Sequence, residues 1–347
     1  MIALFAHLGV TSPVVAAPMA GGPTTPALVA AAGRAGALGF LAAGYRTPDD
    51  LAAQIDAVRE GGTAAFGVNV FAPNPVPVDA GEFRRYAREL RAEGERFGLD
   101  LAAAEPVEND DHWAEKVDLL LARPVPVVSF TFGLPPEGTV AALRRAGTVV
   151  LQTVTSAQEA RAAADAGVDA LVVQALAAGG HSGTFTPEAT PRDVPLPDLL
   201  RAVRATVGLP LVAAGGIATA GDVAAALGAG AAAAMVGTAL LRTDESGASA
   251  VHKAALADLA ERAAADTVVT RAFSGRPARA LGNLFVRRYH ERAPLGYPAV
   301  HHLTTPLRRA AAAAGDAERV NLWAGTGFRH AKDGPAAAVL TALAAES

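Results

Sequence analysis

The stretch "LPLVAAGGIATAGDVAAALGAGAAAAMVGTALL", residues 209–241, carries two short apolar runs on either side of a helical pattern. The runs 209–216 and 232–241 predict buried strands, and the alanine-rich segment 219–230 between them predicts a helix that ends at glycine. A strand, a helix and a second strand in this order are typical of an α/β fold with parallel strands.

The same alternation extends over most of the preceding chain. Six further apolar runs predict strands, at residues 13–19, 38–44, 65–71, 125–133, 148–154 and 170–175. Eight strand and helix units predict a TIM (β/α)8 barrel. A doubly wound sheet is the alternative, but its dinucleotide site expects G-x-G-x-x-G directly after the first strand, and "APMAGGPTTP" (17–26) lacks that pattern.

Two regions depart from this regular alternation. Residues 72–112 are punctuated by proline, contain one amphipathic helix and are too long for an ordinary connection, so we expect an inserted segment that caps the barrel. After residue 241 the pattern becomes helical. We therefore predict an α/β barrel over residues 1–241 and a helical region over residues 242–347 that packs on it.

Composition excludes several classes of function. The 347 residues are 51% hydrophobic and carry a formal net charge of −4, without the dense Lys/Arg block that nucleic-acid binding needs. We find no apolar run long enough for a membrane helix and no basic segment of a secretion signal, so we expect a cytoplasmic protein. There is no cysteine, so any redox chemistry must use a cofactor.

Polar residues fall at the carboxyl ends of the predicted strands, which form the active face of a TIM barrel. They are Asn69, Ser129, Thr131, Gln152 and Gln174, and the loop "AAGGHSGTF" (177–185) adds His181. Buried amides need partners for both the carbonyl and the NH₂ group, so they are depleted in apolar strands. As a set they predict a planar ligand rich in heteroatoms; the alternative for any single residue is a hydrogen bond to local backbone.

Glycines follow the last two predicted strands, where TIM barrels commonly bind phosphate. Gly215 and Gly216 lie between the seventh strand and the next helix, and Gly237 and Thr238 lie at the end of the eighth strand. With 35 glycines in the chain, tight turns are the alternative interpretation. One phosphate site plus a ring of amides predicts FMN, because a dinucleotide would need a second phosphate cradle.

A metal is not expected. Neither H-x-x-x-H nor H-E-x-x-H spacing occurs among the histidines at 7, 112, 181, 252, 290, 301, 302 and 330. The adjacent pair His301 and His302 is predicted to lie on the surface at the start of a helix.

Several motifs together resemble the nitronate monooxygenase family, formerly called 2-nitropropane dioxygenases, which are FMN-containing TIM barrels. They are "APMAGGPTTP" (17–26), "SFTFGLPP" (129–136), "AAGGHSGTF" (177–185), "AAGGIATAGDV" (213–223) and "MVGTALL" (235–241). With "TRAFSGRPAR" (270–279) and "NLWAGTGFR" (321–329), the resemblance covers nearly the whole chain.

The resemblance, together with the glycine positions above, assigns site residues. Expected FMN contacts are Met19, Asn69, Gln174, Gly179, Gly180, Gly215, Gly216, Met235, Val236, Gly237 and Thr238. The expected substrate pocket contains Gly21, Thr131 and Ser182, with His181 as the catalytic imidazole. One residue departs from the family pattern, because nitronate-oxidising members often read S-F-H-F-G where this chain has Thr131.

The resemblance implies oxidation of alkyl nitronates, and of nitroalkanes, by dioxygen to carbonyl compounds and nitrite. His181 would donate a hydrogen bond to the nitro oxygens, stabilise the anion as an imidazolium, or take the α-proton of a nitroalkane. The alternative interpretation is that His181 has only a structural role in its loop. The alternative functions are an FMN-dependent NAD(P)H:quinone or enoyl-thioester reductase, a flavin-free phosphate-binding lyase or isomerase, and a flavin-binding protein without activity.

Overall fold

Eight parallel strands of the computed structural model, which describes residues 4–189 and 192–345, close into a barrel in chain order. The barrel strands are β1 (Val14–Ala16), β2 (Leu38–Ala42), β3 (Phe66–Phe71), β4 (Val127–Thr131), β5 (Val149–Val154), β6 (Ala170–Gln174), β8 (Leu211–Ala214) and β9 (Ala233–Val236). Three more strands, β7 (Gly180–His181), β10 (Thr267–Thr270) and β11 (Ala278–Leu281), form a separate sheet. The predicted TIM barrel is confirmed.

Alternation along each strand separates two cores. Val15, Phe40, Leu151 and Met235 point into the barrel and pack there with other aliphatic side chains. Their neighbours in sequence point outward and pack beneath the helices. Because successive side chains of a strand face opposite sides, this alternation also decides which polar residues can reach the mouth of the barrel.

Most helices surround the barrel, and most of those in the tail, residues 242–347, form a second layer. They are α1 (Pro26–Arg34), α2 (Pro48–Glu60), α3 (Ala80–Glu89), α4 (Arg91–Glu95), α5 (Trp113–Ala122), α6 (Thr139–Arg145), α7 (Ala157–Asp165), α8 (Leu196–Arg204), α9 (Ala220–Gly228), α10 (Ala250–Ala260), α11 (Leu284–Tyr289), α12 (Ala299–Ala313) and α13 (Ala336–Leu343). Several begin at a side-chain cap, as α1 does at Thr25, whose hydroxyl accepts from the Leu28 N–H. Within the described residues, no helix is both long and apolar enough to cross a membrane.

The predicted insertion packs on the tail of the chain. Phe83 and Tyr86 of α3 share an apolar cluster with Phe273 and Phe285, and the buried Tyr86 hydroxyl donates to the Ala272 carbonyl at 2.7 Å. Glu93 of α4 accepts from the guanidinium groups of Arg319 and Arg288 in the tail. These contacts place both segments as one layer beside the mouth of the barrel.

The tail is not entirely helical, contrary to the sequence prediction. Strands β10 and β11 form an antiparallel hairpin that pairs with β7, so the tail adds two strands beside His181. The last helix, α13, packs Leu340 into the outer core of the barrel, next to α1. It therefore completes the helical ring, and the division at residues 241 and 242 stays a prediction.

Candidate active site

A cavity of about 410 Å³ opens at the carboxyl ends of the barrel strands. It is lined by most residues that the sequence predicted for the site, namely Met19, Gly21, Asn69, Thr131, Gln174, Gly179, Gly180, His181, Gly215, Gly216, Met235, Gly237 and Thr238. The fold thus brings residues from seven strands and their loops to one place. Their individual roles toward a ligand stay predictions.

Four residues that the sequence placed at the site do not line this cavity, and they are Ser129, Gln152, Ser182 and Val236. Ser129 faces inward like Thr131 but lies one inward position deeper on β4, where its Oγ accepts from Asn69. Val236 and Gln152 lie on the outward side of their strands, because Met235 and Thr153 take the inward positions. Ser182 directly follows β7 and is buried, and its hydroxyl accepts from the Thr184 N–H. A polar residue near a strand end does not always reach the cavity, because successive residues of a strand face opposite sides of the sheet.

The glycine turns after β8 and β9 form a cradle of free backbone N–H groups. In the described part of the chain, the N–H groups of Gly215, Gly216, Gly237 and Thr238 donate to no acceptor. Gly215 and Gly216 have φ of 107° and 79°, which favour glycine and turn the backbone toward the cavity. Such a cluster of amide donors suits a phosphate, so the residues present fit a phosphate-bearing cofactor.

A second glycine loop closes one side of this cradle. A Cβ on Gly179 would lie 2.5 Å from the Gly325 nitrogen, so the loop before His181 and the tail loop at 325 touch through bare backbone. The Thr326 N–H donates to the Ala177 carbonyl, and the Gly325 N–H donates to Thr238 Oγ1 at 2.9 Å. The motif "NLWAGTGFR" therefore supports the predicted phosphate turn.

Amide and hydroxyl groups form the floor of the cavity. The Asn69 Nδ2 group donates to Ser129 Oγ at 2.9 Å and to Thr131 Oγ1 at 3.0 Å. Thr131 Oγ1 also lies 3.2 Å from Thr153 Oγ1. This network fixes the orientation of the Asn69 amide, whose Oδ1 has no donor among the residues described.

Gln174 holds the loop that carries His181. Its Oε1 accepts from the Gly183 N–H at 2.7 Å, and its Nε2 donates to the His181 carbonyl at 3.3 Å. The amide predicted as a flavin contact thus also positions the imidazole. This second function could not be read from the sequence, because it depends on how the loop folds back.

The imidazole of His181 is oriented by Ser274 in the tail. His181 Nε2 lies 2.8 Å from Ser274 Oγ, and that hydroxyl donates to the Arg276 carbonyl at 3.2 Å. Since the hydroxyl has one proton, this pattern assigns the proton of the neutral imidazole to Nε2. Nδ1 is left as the ring nitrogen available to a ligand, and it has no partner within the described residues.

Burial keeps His181 uncharged. Desolvation, and then the positive charges of Arg276 and Arg308, lower the pKa of His181 from 6.5 to about 3. The imidazole is therefore neutral at physiological pH. Of the three roles that the sequence predicted, stabilising an anion as a preformed imidazolium is therefore disfavoured, and the neutral ring has an unprotonated Nδ1 that can accept a proton or a hydrogen bond.

Aromatic side chains enclose the imidazole. The rings of Phe132, Tyr297 and Trp323 lie 5.4–5.8 Å from His181, measured between ring centroids. Phe132 has φ of 88°, and Tyr45, on the same cavity, has φ of 66°. Left-handed backbone at large side chains is costly, and it concentrates at functional sites where the surrounding packing maintains it.

Sequence reasoning missed part of this wall. Tyr45 stacks on His301 at 4.0 Å between ring centroids, and Tyr297 donates its hydroxyl to that of Tyr45 at 3.2 Å. His301 lies near the start of helix α12, as predicted. It is buried and lines the cavity, however, so the prediction that it lies on the surface was wrong. Tyr45 could have been found, since it directly follows a predicted strand; Tyr297 and His301 come from the tail, where no barrel rule places them.

A second cavity of about 580 Å³ adjoins the first. Tyr45, Phe71, Phe132 and His301 line both cavities and form the partition between them. The insertion contributes residues 73–75 and 108–112 to its outer wall. No three His, Asp or Glu side chains in residues 4–189 and 192–345 are grouped so that they could hold a metal ion.

The fold and the site define a class of TIM-barrel enzyme whose mouth carries a cradle of free backbone N–H groups beside the neutral imidazole of His181. The family model for nitronate monooxygenase matches residues 3–346. The chain is 35% identical over 338 residues to a probable nitronate monooxygenase of Staphylococcus aureus, covering 96% of this chain and 94% of the relative. This chain belongs to the nitronate monooxygenase family and is a flavin oxidoreductase.

Two solved structures are similar to this chain. Nitroalkane oxidase from Streptomyces ansochromogenes is 47% identical, with a TM-score of 0.90 over 98% of this chain and 97% of that one. FabK from Thermotoga maritima is 28% identical, with a TM-score of 0.75 over 99% of this chain and 94% of that one. The chain is therefore similar along nearly its whole length to both of these structures.

Proposed function

We propose that this protein uses FMN to oxidise alkyl nitronates, and the nitroalkanes from which they form, with dioxygen to carbonyl compounds and nitrite. The observation that carries the proposal is the neutral imidazole of His181, whose Nδ1 is free at a cavity flanked by two cationic side chains. Similarity to a nitroalkane oxidase supports the same substrate class.

FMN fits the groups that line the cavity. The four free N–H groups at Gly215, Gly216, Gly237 and Thr238 would hold its single phosphate. The fixed amide of Asn69 and the side chains of Met19 and Met235 would face the ring system. When bound, the flavin supplies the redox chemistry, accepting electrons from the substrate and passing them to dioxygen.

His181 would act on the neutral nitroalkane. Its Nδ1 takes the α-proton, and the electron pair of the broken C–H bond moves into the C=N bond of the nitronate, leaving the negative charge on the nitro oxygens. Burial and Arg276 oppose an isolated imidazolium, so the protonated ring forms only together with the nitronate that pairs with it. A nitronate supplied as such needs no proton transfer.

Arg276 supplies a fixed positive charge beside this reaction. It is fully buried, its guanidinium lies 4.0 Å from the centroid of the Phe132 ring, and its Nη2 donates to the carbonyls of Phe132 and Thr184. Burial lowers its pKa only to about 10, so it stays charged at neutral pH. A preorganised cation in a dry site stabilises the charge that develops on the nitro group.

A reductase that uses NAD(P)H is the second candidate, and the second cavity favours it. A nicotinamide dinucleotide needs space beyond the flavin pocket, and about 580 Å³ adjoins that pocket. Its outer wall carries the carboxylates of Glu108, Asp110 and Asp111 next to Arg46 and Arg309. Those acids repel a pyrophosphate, which is why we rank this function second.

The proposal predicts nitrite release coupled to oxygen uptake. With the FMN-loaded protein in air, propyl 1-nitronate should be converted to nitrite while dioxygen is consumed, and NADH alone should consume little. The measurement is nitrite by colorimetry in parallel with an oxygen electrode. Oxygen uptake driven by NADH, with no nitrite from any alkyl nitronate, would favour the reductase instead.

A further inference from the structure

The ring of Tyr45 is part of the partition between the His181 cavity and the second cavity. Tyr45 lies in the loop after β2, is half-buried and lines both cavities. Its ring stacks on His301 with the centroids 4.0 Å apart and the planes at 8°, and it meets the Phe71 ring edge-on at 5.4 Å. Because aromatic neighbours contact both its face and its edge, the ring is held in one orientation.

An ion pair holds the backbone of Tyr45. The Tyr45 N–H donates to Asp111 Oδ1 at 3.0 Å, and Asp111 Oδ2 lies 2.8 Å from the ammonium nitrogen of Lys116 on α5. Lys116 is fully buried, so water does not weaken the pair. One carboxylate oxygen thus faces the cation while the other fixes the loop that carries Tyr45.

The same residues have left-handed backbone. Tyr45, Asp111 and His112 have φ of 66°, 59° and 57°. This conformation is costly for residues other than glycine, and it persists only where the surrounding contacts maintain it. Here those contacts are the ion pair and the stack on His301. Tyr45 therefore depends on Asp111 for its position in the partition.

The second cavity offers apolar surface beyond this partition. Besides the partition residues, it is lined by Tyr297 and by the prolines at 73, 75, 298 and 306. Each CH₂ group buried on such a surface tightens binding by about fourfold. An alkyl chain that extends from His181 toward this surface meets the Tyr45 ring first. The ring therefore limits the length of chain that fits beside the imidazole.

We propose that Tyr45, positioned by Asp111 and Lys116, sets the length of the alkyl chain that the protein accepts, so that short-chain nitronates and nitroalkanes are preferred to long-chain ones. The proposal rests on the proposed function for the chemistry at the nitro end. Tyr45 is a specificity-determining residue and takes no part in the bond changes. Asp111 and Lys116 are positioning residues that act through it.

The test uses two redox-inert acids that differ in chain length. A carboxylate has the planar shape of a nitronate group, so propionate imitates a short nitronate and octanoate a long one. Each acid is titrated into the FMN-loaded protein while the flavin absorbance is followed, so that binding beside the flavin is what is measured. Wild type should bind octanoate no more than about threefold more tightly than propionate. Y45A should prefer octanoate by more than about tenfold, since burial of two CH₂ groups suffices for that.

Matched variants separate the ring from the hydroxyl and the acceptor from the charge. Y45F keeps the ring and removes the hydroxyl, which accepts from Tyr297, so it should keep the preference of wild type. D111A/K116M removes both charges together, leaves no unpaired ion and frees the Tyr45 N–H, so it should shift the preference toward octanoate by about threefold or more. D111N/K116M retains an oxygen for that N–H and should resemble wild type. Flavin content and the unfolding temperature of each variant show whether it has folded.

Three results would overturn the proposal. The first is a wild-type preference for octanoate above about threefold. The second is a Y45A protein that has the wild-type preference or loses flavin, which would make Tyr45 a structural residue. The third is a D111A/K116M protein with the wild-type preference, which would remove the positioning role of the pair. The proposed function can fail separately: if the acids show the length limit but no alkyl nitronate of any length yields nitrite, the limit stands and the oxidation does not.

Discussion

Replacing His181 by asparagine should leave flavin bound and remove most of the turnover of neutral nitroalkanes. The imidazole is not part of the glycine cradle, so FMN retention is expected, whereas loss of a positioned base lowers proton transfer by about 10²–10⁴-fold. Turnover of the corresponding nitronate, which needs no deprotonation, should fall far less. The measurement is steady-state nitrite formation from 1-nitropropane and from propyl 1-nitronate.

A matched control and the pH dependence sharpen this expectation. H290N changes a histidine in the tail that does not line the cavity, and it should behave as wild type. Because burial lowers the pKa of His181 to about 3, the base stays unprotonated as the pH falls from 8 to 5, and no loss of kcat/KM centred near 6.5 should come from it. Equal losses for nitroalkane and nitronate in H181N would contradict the base role and leave a positioning role.

Replacing Gly216 by valine should lower flavin occupancy strongly. At φ of 79° a β-branched residue is strained, and its Cβ would lie 3.1 Å from Ala177 Cβ and 3.2 Å from Thr326 Oγ1. Either the loop shifts or the N–H groups of the cradle turn away from the phosphate. We expect the dissociation constant for FMN to rise roughly tenfold or more, measured by fluorescence titration of the flavin-free protein.

The control for this variant is G208V. A Cβ on Gly208 meets nothing within 4 Å and its φ lies outside the left-handed region, so the same side chain should be tolerated there with FMN binding intact. Acid release followed by chromatography identifies the flavin in both proteins. If G216V binds FMN as wild type does, or the released flavin is FAD, the assigned phosphate position is wrong.

The sequence predicted the barrel because its strands are short apolar runs that end in polar or glycine turns. The segment 209–241 folds as one strand, helix and strand unit, although β9 ends at Val236 and residues 238–240 turn into a 3-10 helix. The hairpin of β10 and β11 was missed, since "TVVT" (267–270) is brief and lies among alanine and arginine. Its β-branched run was the available signal.

The sequence predicted the site residues that lie at strand ends, but it did not predict those that the tail contributes. Asn69 and Gln174 line the cavity because barrel geometry places every inward residue near a strand end, but Gln152 has the wrong parity. Arg308 lines the cavity, and Ser274 and Tyr297 contact His181, through packing between distant segments. No local pattern encodes such contacts, so the residues that orient His181 became visible only in the fold.

The central claim is that electrons enter this protein from a nitronate at the His181 cavity. The most direct measurement mixes the FMN-loaded protein with propyl 1-nitronate, and separately with NADH, under nitrogen while the flavin absorbance is followed. Our account predicts rapid loss of oxidised flavin with the nitronate and little change with NADH. Rapid bleaching by NADH with no response to the nitronate would contradict it.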